Sequence, residues 1–488
     1  MSAKVIDGLA PSLLWKRFYE ISQVPRPSKS EEKIRLYLRN YAGQNNLSFK
    51  EDETGNIVIQ VPPVPGYENS PTVVLQSHVD MVCEKNKSKE HDFMNDPIVL
   101  LREGEWIKAD GTTLGADNGI GAAAALAVAE DEDFEHGPLE LLFTVDEETG
   151  LTGVNNLQKG FITGKTLLNL DTEEDGAFYV GCAGGMDTVG TYRIESEKIV
   201  DGYIPFTIEI SGLLGGHSGI NIADRRANAI KLLGMFLDRL SKFNYQLAQI
   251  GGGSKRNAIP REAEAVIFMN PEYESNAREI INELSLESVI EFKNVEANVK
   301  VTFEKSDLNI KRAYKNSLAE SVINVILAMP HGVVNMSPDI PNLVETSTNL
   351  ATILEEGEIL KIGTSQRSSI ESSKRNIARA VRSVFELGSA SVTVGDGYPG
   401  WQPNMDSRVL QLSMNVFKKL FSKDAVVKAV HAGLECGILA DKYPGIDMVS
   451  FGPTIEGAHS PDERVKIPDV EKFYNLLKNI LIEIAKEK

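Results

Sequence analysis

Three short runs of β-branched and apolar residues, at 72–77, 139–145 and 166–170, read as buried strands, and each stops where an ionisable residue begins. A fourth run of this kind lies far downstream, at 448–451. Residues 118–130 (NGIGAAAALAVAE) are rich in alanine and predict a helix with Asp117 at its N-terminal edge. Strand and helix signals alternate in this way up to about Gly185, starting from a helical run at 32–41 that a capping box, Ser28-Lys29-Ser30-Glu31, would open. The alternation predicts an α/β domain with a mixed, mostly parallel sheet flanked by helices. In such sheets functional groups collect at the carboxyl ends of the parallel strands, which is where the ionisable residues fall.

Beyond Gly185 the rhythm changes to strand–helix–strand–strand–helix, and it occurs twice. The first copy includes 206–210, 227–240 and 263–269; the second includes 299–303, 317–329, 349–354 and 377–387. Residues 187–397 are therefore expected to form an inserted α+β lid domain of two related halves, each with helices on one face of an antiparallel sheet. Tyr398-Pro399-Gly400-Trp401-Gln402-Pro403 reads as a return linker, after which helices near 408–420 and 470–486 complete the first domain. The expected division is 1–186 and 398–488 for the first domain, with 187–397 inserted.

A chain of 488 residues is too long for one ordinary core, which agrees with two domains. No stretch approaches the length of a membrane span. The N-terminal MSAKVIDGLAPSLLWKRF is amphipathic but lacks the apolar core and small-residue cleavage site of a signal peptide. A formal charge of −18, spread along the chain, argues against nucleic acid or an anionic membrane as partner. Cys83, Cys182 and Cys436 are too few and too scattered for a disulfide framework, and are expected to be buried thiols in a reducing cytoplasm.

The chemistry lies in five motifs: Ser77-His78-Val79-Asp80, Gly115-Ala116-Asp117-Asn118-Gly119, Asp146-Glu147-Glu148-Thr149-Gly150, Asn169-Leu170-Asp171 and Gly457-Ala458-His459-Ser460. Taken singly, each ionisable residue has a commoner role: an Asp before a helix caps it, a Glu pair is solvated, a His at a strand end is hydrogen-bonded. Five in order, each at an element boundary, outweigh those readings. His78, Asp117, Glu148, Asp171 and His459 together suit two divalent cations, zinc first, with cobalt or manganese as alternatives. One carboxylate must bridge if each cation is to have three protein ligands. Glu147 sits beside a ligand without needing to be one, and so supplies a base for hydrolysis. Asp80, two residues beyond His78 on an extended segment, faces the same way and can orient its ring.

With Gly181-Cys182-Ala183-Gly184-Gly185, Tyr398-Pro399-Gly400-Trp401 and His431-Ala432-Gly433-Leu434-Glu435-Cys436-Gly437, these motifs carry a resemblance from about residue 10 to the C-terminus. The chain resembles the dinuclear zinc peptidases that include aminoacylases and glutamate carboxypeptidases, and within them the aminoacyl-histidine dipeptidases, the carnosinase-like branch. The resemblance implies that Asp117 bridges, that His78 and Asp171 complete one site, and that Glu148 and His459 complete the other. It implies Glu147 as the base and His217, in Gly215-Gly216-His217-Ser218-Gly219, as stabiliser of the oxyanion. Asn257 aligns with a substrate-binding Asn of the wider family. The Arg that holds the substrate carboxylate in shorter relatives is missing from the strand after Asn257, and Arg367 in the second half of the insertion takes its place as candidate. The expected enzyme is a homodimeric dipeptidase acting on unblocked dipeptides, Xaa-His such as carnosine among them. An N-acyl amino acid deacylase using the same centre is the alternative. A metal-bound binding protein without catalysis is a further one, against which the retention of Glu147 speaks. Glu435 is left without a role.

Overall fold

The computed structural model describes residues 3–487. These fall into two compact units. The first takes the described residues up to Gly181, then Pro403–Ala429 and the chain from Leu434 on; the second takes Cys182–Gln402 and the short segment Val430–Gly433. The boundaries thus differ by five residues from those expected at 186/187 and 397/398, and the return of residues 430–433 to the second unit carries no sequence signal.

The first unit is built on an eight-stranded sheet in the order Ser48–Glu51, Ile57–Val61, Leu139–Thr144, Val73–His78, Thr166–Asn169, Asp447–Ser450, Ala177–Cys182, Val426–Val430. The four central strands, from Leu139–Thr144 to Asp447–Ser450, are parallel to one another. The expected mixed sheet is present, and its parallel centre is flanked by antiparallel pairs: Ser48–Glu51 with Ile57–Val61, Ile57–Val61 with Leu139–Thr144, and Asp447–Ser450 with Ala177–Cys182. At the Ser48 edge the cause is a tight hairpin. Asp52 Oδ1 accepts the N–H groups of Thr54, Gly55 and Asn56, and so short a link cannot return a strand in parallel.

Val73–His78 and Leu139–Thr144 are buried along their whole length, which explains why they read as unbroken apolar runs. Helix Ala116–Glu130 packs on Val73–His78 and on helix Ser12–Ser22, whose Trp15 and Phe18 are fully buried. Burial of each such ring contributes about 2–3 kcal/mol. The alanines of this helix keep its surface thin, and Gly121 is thinner still: a Cβ there would stand 2.6 Å from the Leu170 carbonyl oxygen and 2.4 Å from Asn118 Oδ1. The capping box does not form. Helix Glu32–Gln44 starts without a side-chain cap, because Ser28 Oγ donates instead to Asp80 Oδ2 and Glu31 accepts the N–H of Lys29 and of Asp146.

A small four-stranded sheet pairs the hairpin Ile455–Glu456/Arg464–Lys466 with Trp106–Ala109 and Leu100–Glu103. It brings the loop carrying His459 beside the segment that leads into Asp117.

The second unit is an antiparallel sheet in the order Lys300–Lys305, Ile204–Ser211, Ala263–Met269, Gln246–Gly252, Val344–Glu356, Ile359–Ser368, Gly184–Arg193, Ser391–Val394, with Gly332–Met336 added to Val344–Glu356. Helices Ala229–Leu240, Glu274–Phe292, Asn316–Ala328 and Glu371–Leu387 supply the rest of its core. The expected halves need redrawing. Lys300–Lys305, assigned above to the second copy, pairs with Ile204–Ser211, and Phe303 stacks on Phe206 with ring centroids 4.8 Å apart. The other half draws its strand from Gly184–Arg193, upstream of both copies, where a run of glycines and polar residues hides the alternation. The two halves meet at a single register pair, Gly252 with Ile353. No helix among the described residues is long and apolar enough to cross a membrane.

Gly121→Ala should lower the unfolding free energy by about 1–3 kcal/mol, since the backbone oxygen of Leu170 cannot move aside as a side chain could. Denaturant titration of the purified protein checks this, and a change below about 0.5 kcal/mol would show that the helix can shift away from the sheet.

Candidate metal centre

Asp117 stands between two imidazoles. Its Oδ1 lies 3.0 Å from His78 Nε2 and its Oδ2 lies 3.0 Å from His459 Nε2. His78 Nε2 is also 3.4 Å from Asp171 Oδ1, and His459 Nε2 is 3.0 Å from Glu148 Oε2. Two triads result, His78–Asp117–Asp171 and Asp117–Glu148–His459, with Asp117 common to both and the donor atoms of each within 4.8 Å of one another. Either triad could hold a cation. Glu147 also comes within this range of His78 and Glu148.

The local chain explains the placement. His78 ends its strand, and Asp117 follows Gly115, whose φ of 70° lets the backbone turn into the helix. Glu147 and Glu148 open a short helical turn, Glu147–Gly150, after Asp146 at φ 48°. Neighbours on such a turn diverge by about 100°, so the two carboxylates point apart. His459 sits at φ 61°, in a loop held by Ser460 Oγ donating to the Gly457 carbonyl at 2.7 Å and by the Glu463 N–H donating to the Ser460 carbonyl at 3.1 Å.

The electrostatics fit cations. Bonds to Asp117 and Glu148 push His459 up to about 11. Burial opposes charge on His78, yet Asp171, Asp117 and Asp80 raise it well above the ordinary imidazole range. Each imidazolium proton thus does part of what a cation between these groups would do. Burial, followed by neighbouring carboxylates, raises Asp171 to about 6, and burial lifts Glu147 well above the carboxylate range. Glu148 Oε1 and Asp171 Oδ1 are buried acceptors with no hydrogen-bond partner. Imidazole and carboxylate donors with unsatisfied lone pairs make a set that a pair of divalent ions would complete.

Asp80 connects the loops. Its Oδ1 lies 3.3 Å from His78 Nδ1, close enough for an ion pair though not aligned as a hydrogen bond, and accepts the Glu147 N–H at 3.0 Å. Its Oδ2 accepts from the Glu148 N–H at 3.2 Å and from Ser28 Oγ at 2.8 Å. Two further supports escaped the sequence reading. Arg26, fully buried, donates to the carbonyls of Val79, Asp80 and Gly115, joining the His78 loop to the Asp117 loop. Glu463 accepts the N–H groups of Leu114, Gly115, Ala116 and Asp117 at 2.7–3.3 Å. Glu31, Asp80 and Asp146 also cluster, but N–H and hydroxyl donors already occupy their carboxylates.

The other candidates lie in the second unit. Gly216–His217 pairs with Ala258–Ile259, which sets Asn257 next in line; its side chain is exposed, and its carbonyl accepts the Ser218 N–H at 2.9 Å. His217 Nδ1 accepts the N–H groups of Gly219 and Ile220 at 3.2 and 3.1 Å, so the ring proton belongs on Nε2. Burial and the Arg367 charge lower His217 to about 4, keeping it neutral at pH 7. Arg367 is buried. Its Nη1 donates to Tyr398 Oη at 2.8 Å, its Nε has no partner, and no carboxylate among the described residues forms an ion pair with it. His431 joins this group, with Nε2 2.7 Å from Ser347 Oγ. Among the cysteines, Cys182 and Cys436 are buried and Cys83 is half-buried, and no disulfide joins them.

A family model described as "Peptidase family M20/M25/M40" matches residues 74–483. The chain is 40% identical over 480 residues to the cytosol non-specific dipeptidase of Escherichia coli, covering 98% of this chain and 99% of that one. It superposes on the crystal structure of aminoacylhistidine dipeptidase from Vibrio alginolyticus with a TM-score of 0.90 and 39% identity, over 98% of this chain and 97% of that one. An aminopeptidase from Bacillus cereus shares the fold at a TM-score of 0.58 and 17% identity, over 98% and 100% of the two chains.

The lowered histidines make stability depend on pH in a definite direction. His431 is held near about 3 by burial and by Arg367, below the ordinary imidazole value of about 6.5. Between these values the unfolded chain binds a proton that the folded chain refuses. Stability is therefore complete above about 6.5 and falls as the pH drops toward about 3. His431→Asn should flatten the slope of unfolding free energy against pH between 6.5 and 4, and an unchanged slope would show that the imidazole titrates normally.

Proposed function

This chain belongs to peptidase family M20/M25/M40, and from that premise we propose that it is a dinuclear metal-dependent dipeptidase of the cytoplasm. Asp117, shared between two triads with Glu147 at their edge, is the observation that carries the reading. The names of the Escherichia coli and Vibrio relatives support a dipeptide as substrate, with Xaa-His among those cleaved. Zinc suits the two-imidazole, three-carboxylate donor set best, with cobalt or manganese able to replace it. His78 and Asp171 would hold one ion, Glu148 and His459 the other, with Asp117 available to both.

When bound, the ions supply Lewis acidity toward the scissile carbonyl and toward the attacking water. Glu147 takes the proton of that water and delivers it to the leaving amine. Burial has already raised its proton affinity toward the range where a carboxyl group can do both. Asp80 keeps the His78 ring and the Glu147–Glu148 turn in register. His217 offers Nε2–H to the oxyanion, and as a neutral imidazole it does so without introducing a fixed charge. Arg367, buried with no carboxylate of its own, takes the α-carboxylate of the dipeptide, and Asn257 contacts the substrate beside His217. The protein works as a homodimer; the edge strand Gly332–Met336, with Val333, Val334 and Met336 exposed, supports a subunit contact there.

Glu147→Gln should retain two ions per chain by elemental analysis while kcat on a dipeptide panel falls by several orders of magnitude. Wild-type turnover, or loss of both ions, would remove Glu147 from the role of base.

Arg367→Ala should lose about 10- to 150-fold in kcat/KM on dipeptides with an unmodified carboxylate and little on C-amidated ones. The ratio of the two efficiencies is the measurement, since a general loss of folding would lower both. An unchanged ratio means that the carboxylate is held elsewhere.

A further inference from the structure

Glu435 is a buried carboxylate that the mechanism above leaves unused. It opens helix Glu435–Lys442 and is 1% exposed. Its Oε2 accepts from Gln76 Nε2 at 2.6 Å and from Thr144 Oγ1 at 2.7 Å, while its Oε1 has no partner. Gln76 and Thr144 lie near the carboxyl ends of adjacent parallel strands. Gln76 is two residues before His78, and Thr144 is three before Glu147.

From Gln76 a row of hydrogen bonds crosses the sheet. Gln76 Oε1 accepts from Asn169 Nδ2, and Asn169 Oδ1 accepts from Ser450 Oγ and, at 3.4 Å, from the Asp171 N–H. Gln76, Asn169 and Ser450 are register partners on three neighbouring parallel strands, and all are buried. Side chains two apart on a strand share a face, so this row runs on the face from which His78 projects, one layer below it. Glu435 closes the row at its Thr144 end, holding the strand that leads to Glu147 and Glu148 against the strand that ends in His78.

We propose that Glu435 is a positioning residue: by accepting from Gln76 and Thr144 together, it sets the spacing between His78 and the Glu147–Glu148 turn. This rests on the reading of His78 and Glu148 as ligands and Glu147 as base. The contacts need an oxygen at that point and do not depend on which of the two carboxyl oxygens bears charge. Removal of Glu435 leaves its donors with other acceptors: Gln76 Nε2 is 3.2 Å from Thr144 Oγ1, and Thr144 Oγ1 is 3.3 Å from the Ser77 carbonyl. The fold therefore survives, and the loss shows at the centre.

The test compares zinc-loaded wild type, Glu435→Ala and Glu435→Gln for dipeptide kinetics and for zinc retained against increasing chelator. Partners behind a ligand shell typically matter about 10- to 100-fold in activity or metal affinity. Glu435→Ala is expected to lower kcat by that factor with KM little changed, and to release zinc at lower chelator concentration. Glu435→Gln keeps a carbonyl oxygen for both donors and should restore both readouts. Wild-type kcat and zinc retention in Glu435→Ala overturn the proposal, as does a Gln variant as defective as the Ala variant. Should Glu435→Ala fail to fold, Thr144→Val removes one donor at nearly constant shape, and unaltered kcat and zinc retention in it overturn the proposal equally. A wild type that holds no zinc or cleaves no dipeptide defeats the reading of the centre instead, whereas an active wild type with an indifferent Glu435→Ala defeats this inference alone.

Discussion

The first unit has to hold a crowd of carboxylates together against their own repulsion. Asp117, Glu147, Glu148 and Asp171 converge on one small volume, with Asp80, Glu435 and Glu463 buried close behind them. Desolvation and mutual repulsion both favour protonated, neutral forms, and Glu147, Asp171 and Glu435 are raised accordingly. Three kinds of group oppose this. The imidazoles of His78 and His459 supply positive charge at the front, and Arg26 supplies it at the back. Backbone N–H groups do the rest: Asp80 and Glu463 together accept six of them. The loops around the centre are shaped less by their own turn preferences than by which carboxylate takes their amides.

That constraint separates what a reader of the sequence can find from what stays hidden. His78, Asp117, Glu147, Glu148 and Asp171 are legible because each follows an apolar run or opens a helix, where a charge is visible along the chain, whereas His459, in the loop between Ile455–Glu456 and Arg464–Lys466, is legible from its motif alone. Arg26, Glu435 and Glu463 are not legible, because their partners lie far off in sequence. Gln76 and Glu435 are 359 residues apart, and Leu114 and Glu463 are 349 apart. No local pattern marks a residue whose role is to accept amides from the other end of the chain. Ser28 shows the reverse error: its spacing to Glu31 and the helix suggested a cap, but a buried carboxylate on another loop took its hydroxyl.

In the second unit the difficulty was topological. Helix positions were readable from their apolar faces, as in Ala229–Leu240 and Glu371–Leu387. Strand partnership was not, because in an all-antiparallel sheet a strand near the end of one half can pair with either half. The stacking of Phe206 on Phe303 decides it here, and neither ring announces the other. Around Arg367 in this unit, the imidazoles of His217 and His431 are held below the ordinary range by burial and by the guanidinium charge.

Strand Asp447–Ser450 is the last of the four central parallel strands in the chain and pairs with Thr166–Asn169 across a separation of 281 residues. His78, Asp117 and Asp171 are all encoded before residue 172, whereas the triad containing His459 must wait for nearly the whole chain. As the protein leaves the ribosome, one half of the centre can gather while Thr166–Asn169 still presents an open sheet edge, and the whole second unit emerges before that edge is sealed. The carboxylate shared by the two triads therefore meets its two imidazoles at different times, and any ion captured early sits on a partly built surface until the C-terminal segment arrives.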